Sequence, residues 1–191
     1  MGVLMKETPL HLQDANELLT SDGFKSNGVW YHGTSSALLE SIKEQGLKRS
    51  GDQALNDAMK STMKTIGNNY VQSAEPVFLT QSKELAYYWA QQTVHERSVR
   101  FDGEELPVVF EVSLPDELES GVKPDVGART LLMMDMGEKY MAHLAHIYEQ
   151  CGFGVPDINL MSADRMEFQN KLGMVYIDKD VAAEFVKELS E

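Results

Sequence analysis

Val29-Trp30-Tyr31-His32-Gly33-Thr34-Ser35-Ser36 is the stretch on which the fold turns. Val29 to His32 are strand formers, and Gly33 breaks the run. Ser35 or Ser36 then caps a helix with Ala37, Leu38, Leu39 and Ile42 on one face, which Gly46 stops with Leu47 as its apolar follower. A strand that ends in His-Gly places an imidazole and a bare backbone at one sheet edge, where the main chain can pair with an amide.

Working outward, Pro76-Val77-Phe78-Leu79-Thr80 reads as a second short strand. Ser82 caps the helix after it, where Leu85, Ala86, Trp89, Ala90 and Thr93 repeat at helical spacing. Val108, Phe110, Val112 and Leu114 alternate with Val109, Glu111 and Ser113, the period of a half-buried strand. Amphipathic helices are expected over 10–19, over 53–66 with a stop at Gly67-Asn68-Asn69, over 129–150 and over 179–189. Strands are expected at 165–169 and 174–177, joined by a turn at 170–173. Strands and helices mix without the alternation that builds a parallel sheet, so the fold class is α+β.

The 191 residues suit one domain, with 1–27 as an N-terminal helical extension and 129–157 as a helical insertion. Hydrophobic residues are 42% and charged residues 25%, a globular balance. The net charge of −13 disfavours a phosphate-backbone partner. The single Cys151 excludes an intramolecular disulfide and reads as a half-buried thiol in a reducing compartment. Met1 to Glu7 is neither a secretory signal nor, with Lys6 where Ser or Thr is wanted, a myristoylation site. No apolar run is long enough to span a membrane, so a cytoplasmic location is expected. His143 and His146, three apart on a helix, lack a third ligand at useful spacing, so no metal is expected. Met133, Met134 and Met136 read as core filler.

Three segments carry chemistry. His32 and Gly33 offer a polar edge. The strand through Phe78 leads into a helix whose Tyr87, Tyr88 and Trp89 either form a stacking wall or pack on the sheet, and packing is preferred for Trp89. Glu167, in Arg165-Met166-Glu167-Phe168-Gln169, is a carboxylate in an apolar strand. A carboxylate beside a ribose tightens its hold as an N-glycosidic bond breaks and oxocarbenium character develops.

The order His-Gly-Thr, helix, Gly46-Leu47, then Phe78-Leu79-Thr80 with a Ser82-x-x-x-x-Tyr87 helix, then a late Glu167, resembles the ADP-ribosyltransferase fold of split antiparallel sheets. The likeness is to the diphtheria-toxin and poly(ADP-ribose) polymerase branch with its His-Tyr-Glu triad. The Tyr-His-Gly-Thr segment is also similar to small bacterial rifamycin ADP-ribosyltransferases and to RNA 2′-phosphotransferases. It spans roughly residues 29–180 as an ordered set of short motifs.

The resemblance implies NAD as substrate and cleavage of its nicotinamide–ribose bond. His32 would bond a ribose hydroxyl, Gly33 the nicotinamide carboxamide, and Thr34 would line the same edge. Phe78 and Tyr87 would stack on the ring, Glu167 would be the catalytic acid, and Lys48 and Arg49 would meet the pyrophosphate. Phe78 departs from the usual Tyr and has no hydroxyl. Glu84 stands where a Ser commonly binds the amide, which moves that contact to Ser82 or Thr80. The expected acceptor is a protein, then a small molecule, then water, which would make the protein an NAD glycohydrolase; nucleic acid comes last. The rival readings are a catalytically degenerate nucleotide- or protein-binding module of the same fold, and an adaptor docking through 129–150.

Overall fold

In the computed structural model, which describes residues 6–65, 67 and 74–191, the chain opens with short pieces. A 3₁₀ turn at Leu10–Leu12 precedes α1 (Ala15–Leu18) and a hairpin of β1 (Leu19–Thr20) and β2 (Gly23–Phe24). β3 (Trp30–Ser35) runs straight through Gly33, followed by α2 (Leu39–Gln45) and α3 (Gln53–Thr65). Then come β4 (Val77–Leu79), α4 (Lys83–Ser98), β5 (Pro107–Val112), α5 (Asp116–Glu119), β6 (Val122–Pro124), α6 (Ala128–Leu132) and α7 (Asp135–Gln150). The chain ends with α8 (Arg165–Asn170), β7 (Val175–Ile177) and β8 (Val186–Glu188). Helices and small antiparallel sheets mix, as α+β requires. No helix among the described residues is long and apolar enough to cross a membrane.

Several elements differ from expectation. Residues 10–19 do not form one helix, because the chain turns back as a hairpin at Asp22-Gly23, where Gly23 has φ 112°. Residues 129–150 break at Met133–Met134 into two helices. Residues 165–169 are helix, not strand. Asp164 caps that helix by accepting from Met166 N at 2.8 Å, and Glu167 reaches back to Asp164 N at 2.9 Å. This reciprocal capping box is a helix-start device. Residues 179–189 hold β8 instead of a helix, because pairing with the edge of β5 outweighs local preference. Met1 to Met5 and the helix stop at 67–69, Gly67 apart, lie outside the described residues.

Two three-stranded antiparallel sheets form the frame, in the orders β3-β5-β8 and β4-β7-β6. Trp30, Phe110 and Val112 of the first sheet share one core with Val77, Leu79, Val175 and Ile177 of the second. On the other face of the first sheet, α4 packs Ala86 and Tyr87 against Tyr31 and Val109. A third core joins α4, α7, α8 and the N-terminal hairpin around Tyr140, Leu144 and Phe168. Asp14 fastens the N-terminal segment to α4, accepting from Ser82 Oγ at 2.6 Å and Lys83 N at 2.8 Å. It thus satisfies amide groups left open at the helix start.

Candidate active site

The backbones of the two sheets pair at one position. Tyr31 and Thr80 exchange both backbone hydrogen bonds, at 2.8 and 3.0 Å. Continued antiparallel pairing would set Leu79 against His32 and Phe78 against Gly33, but the strands splay there. The His32 imidazole spans the opening, its Nδ1 2.8 Å from the Phe78 carbonyl oxygen. A carbonyl only accepts, so Nδ1 carries the proton and Nε2 is left for a ligand. Burial lowers the His32 pKa, against the upward pull of that hydrogen bond. The ring is therefore a neutral acceptor at Nε2, suited to a hydroxyl.

Main-chain groups alternate in direction along an antiparallel strand. Those of Tyr31 point away from β5 toward Thr80, those of His32 point toward β5, and those of Gly33 point away again. Among the described residues no strand reaches Gly33 on that side and none hydrogen-bonds its N–H or C=O, which lie beside the imidazole spaced as an amide needs.

From this edge a cleft of about 850 Å³ runs across Phe78 and Tyr176 of the second sheet to α4 and is walled by Ala128 and Leu131 of α6. Phe78 and Tyr176 are cross-strand partners, and Phe78 is 46% exposed. From α4 come Ala86, Trp89, Gln92, Thr93 and Glu96, at the spacing of one helix face. The Trp89 ring centroid lies 5.2 Å from that of Tyr88 and 4.8 Å from that of Tyr140, which fixes the indole at the wall. Asp125, just after β6, also lines the cleft. Its Oδ1 accepts from Ala128 N at 3.2 Å, and desolvation raises its pKa.

Of the residues expected to act, the structure brings together His32, Gly33 and Phe78. The others lie elsewhere. Tyr87 is buried in the core between α4 and the first sheet, so Trp89 is the α4 ring at the cleft. Thr34 is 3% exposed within β3 and does not line the cleft. Ser82 is fully buried as the cap of α4, accepting from Leu85 N. Glu84 is buried near Asp14, which with desolvation raises its pKa, and it too is absent from the cleft wall.

Glu167 is a correction. It belongs to the capping box of α8, its Oε1 is 2.7 Å from Lys171 Nζ, and it does not line the cleft. Lys171 and Asp164 hold its carboxyl below the usual range.

Arg49 and Lys48 bind acids at their own surface: Arg49 pairs with Asp178 at 2.8 Å and Lys48 with Asp180 at 3.4 Å. Arg49 and Lys179 line a neighbouring depression of about 710 Å³ that shares Ala74 with the cleft. Met133 and Met134 are each 62% exposed and Met136 44%, so they are not core filler. His143 stacks on Tyr88 at 4.7 Å, and its buried Nε2 has no hydrogen-bond partner among the described residues.

Sequence reasoning missed Asp125 and Tyr176, and preferred packing over a cleft role for Trp89. Asp125 carried one signal, an acid at a Pro-Asp-x-Gly turn ahead of a helix. Comparison with family models, curated proteins and solved structures finds no match to this chain.

Proposed function

We propose that this chain binds NAD in the cleft and cleaves the nicotinamide–ribose bond, passing ADP-ribose to an acceptor, as in the ADP-ribosyltransferase fold it resembles. The observation that carries the reading is the splayed edge: Gly33 main-chain groups with no hydrogen-bond partner among the described residues, beside a neutral, Phe78-anchored His32 and facing aromatic walls. The carboxamide pairs with Gly33 while the pyridine ring stacks among Phe78, Tyr176 and Trp89. His32 Nε2 accepts from a ribose hydroxyl. Asp125, in place of Glu167, faces the ribose and stabilises the oxocarbenium as nicotinamide leaves with the bonding electron pair. The phosphates run out toward Arg49 and Lys179 in the adjoining depression.

The test is nicotinamide release from NAD. Asp125→Asn should cut turnover about 100-fold or more with KM within a few fold, because its role is in the transition state. Glu167→Gln should turn over as wild type. The reverse pattern would overturn the assignment.

One observation favours a second reading, a nucleotide-binding module without chemistry. Two of the three expected catalytic side chains, Tyr87 and Glu167, lie away from the cleft. NAD binding without nicotinamide release would select it.

A further inference from the structure

Behind the cleft, the buried face of α7 carries Tyr140, Leu144 and Tyr148 at four-residue spacing. The two tyrosine hydroxyls donate to the carbonyl oxygens of consecutive residues, Tyr140 to Leu172, and Tyr148 to Lys171 at 2.9 Å. Those carbonyls belong to the turn that ends α8, which Gly173 closes with φ 64°. Beyond the turn the chain enters the cleft wall with Gly173, Met174, Val175 and Tyr176. The two rings have different neighbours. That of Tyr148 meets Phe24 edge-on at 6.0 Å, away from the cleft. That of Tyr140 lies 4.8 Å from the Trp89 ring, which lines the same cleft from α4. Tyr140 is fully buried and so touches both sides of the cleft from behind, α4 through its ring and the 171–173 turn through its hydroxyl. Burial pushes its pKa up, so the hydroxyl stays a donor.

We propose that Tyr140 is a positioning residue, which sets the gap between Trp89 and the 173–176 side of the cleft to the thickness of one stacked aromatic ring. The inference rests on the NAD-cleaving reading above. Ring stacking needs close contact on both faces, and a contact roughly 0.5–1 Å too long forfeits a quarter to a half of its dispersion energy. Without the Tyr140 hydroxyl, the buried Leu172 carbonyl loses its donor and the turn shifts to find another. The shift carries Gly173 and Met174 with it and leaves Trp89 where Tyr88 and the α4 backbone hold it. Tyr140 lies outside the cleft and touches no reacting atom. Its loss weakens the hold on the pyridine equally in the ground state and the transition state, which raises KM and spares kcat.

The experiment compares the full chain with Tyr140→Phe and Tyr148→Phe, each of which keeps its ring and removes one hydroxyl from the same turn. Urea unfolding, nicotinamide binding and nicotinamide release from NAD are measured on all three. Both variants should unfold at lower urea than wild type. Only Tyr140→Phe should weaken nicotinamide binding about 10-fold and raise the KM for NAD to match, with kcat within about twofold. Tyr148→Phe should keep the wild-type Kd and KM. In a Trp89→Leu background, Tyr140→Phe should cost less than about twofold in nicotinamide affinity, because the ring it works against is gone. Equal loss of affinity in the two single variants, wild-type affinity in Tyr140→Phe, or a full 10-fold loss in the Trp89→Leu background overturns the positioning role alone. A wild-type chain that neither binds nicotinamide nor releases it from NAD overturns the NAD-cleaving reading and the positioning role with it.

Discussion

Position 33 meets two demands at once. A Cβ there would lie 1.8 Å from the Ala86 carbonyl oxygen and 2.8 Å from Ala90 N, so α4 sits directly on the strand. Among the described residues, nothing pairs with its N–H and C=O at the splayed edge. The first demand is steric and backbone-to-backbone, so no rotamer relieves it. Gly33→Ala should therefore cost at least about 3 kcal/mol in urea unfolding. A loss under about 1 kcal/mol would show that α4 can move away. The sequence offered ligand approach as the use of glycine at 33, whereas the structure shows close approach of the α4 backbone, which no local pattern announces. Glu167 was misread although its signal stood in plain view, since Asp164-x-x-Glu167 is a capping-box pattern. Asp125 was harder to find. Nothing local tells a turn aspartate facing a cleft from one facing water, because the cleft is assembled from residues remote in the chain.

At the scale of elements, α4 explains most of what periodicity could and could not deliver. Its span and its Ser82 cap were readable from helical spacing. Its rotation was not. Each step along a helix turns the side chain by about 100°, so the two steps from core-facing Tyr87 carry Trp89 about 200° round to the cleft. Short strands were the least legible, since β6 and β8 have three residues each and exist only through their neighbours.

The contact between α4 and α7 makes a prediction of its own. His143 stacks on Tyr88, and burial, with His146 nearby, lowers its pKa to about 4. The folded protein thus binds this proton less readily than the unfolded chain. The neutral-ring stability is complete above the ordinary 6.5 and is lost as pH falls from there toward about 4, by on the order of 3 kcal/mol. His143→Phe should flatten that part of the stability–pH curve measured by urea unfolding. An unchanged slope in the variant would assign the acid loss to other groups, with His32, whose pKa burial also lowers, the first to examine.

For the whole molecule, the arrangement is two small sheets joined at Tyr31–Thr80 and sharing a core, yet parted beyond that pair. The α+β class and the strand-to-helix turns followed from local pattern. The parting of the sheets did not, because it depends on β3 pairing with β5 along its length while meeting β4 at one residue. The acidic balance, read at first as a bar to nucleic acid, acquires a location in the carboxylates of the cleft wall.

The central claim is that this parting is an amide- and pyridine-binding site. It is tested most directly by adding nicotinamide to isotope-labelled protein and following the backbone and indole N–H resonances. The account predicts that the largest, saturable shifts fall on Gly33, Phe78 and the Trp89 indole, with the buried Trp30 indole unmoved. Saturable shifts centred elsewhere, or none at Gly33, would contradict it.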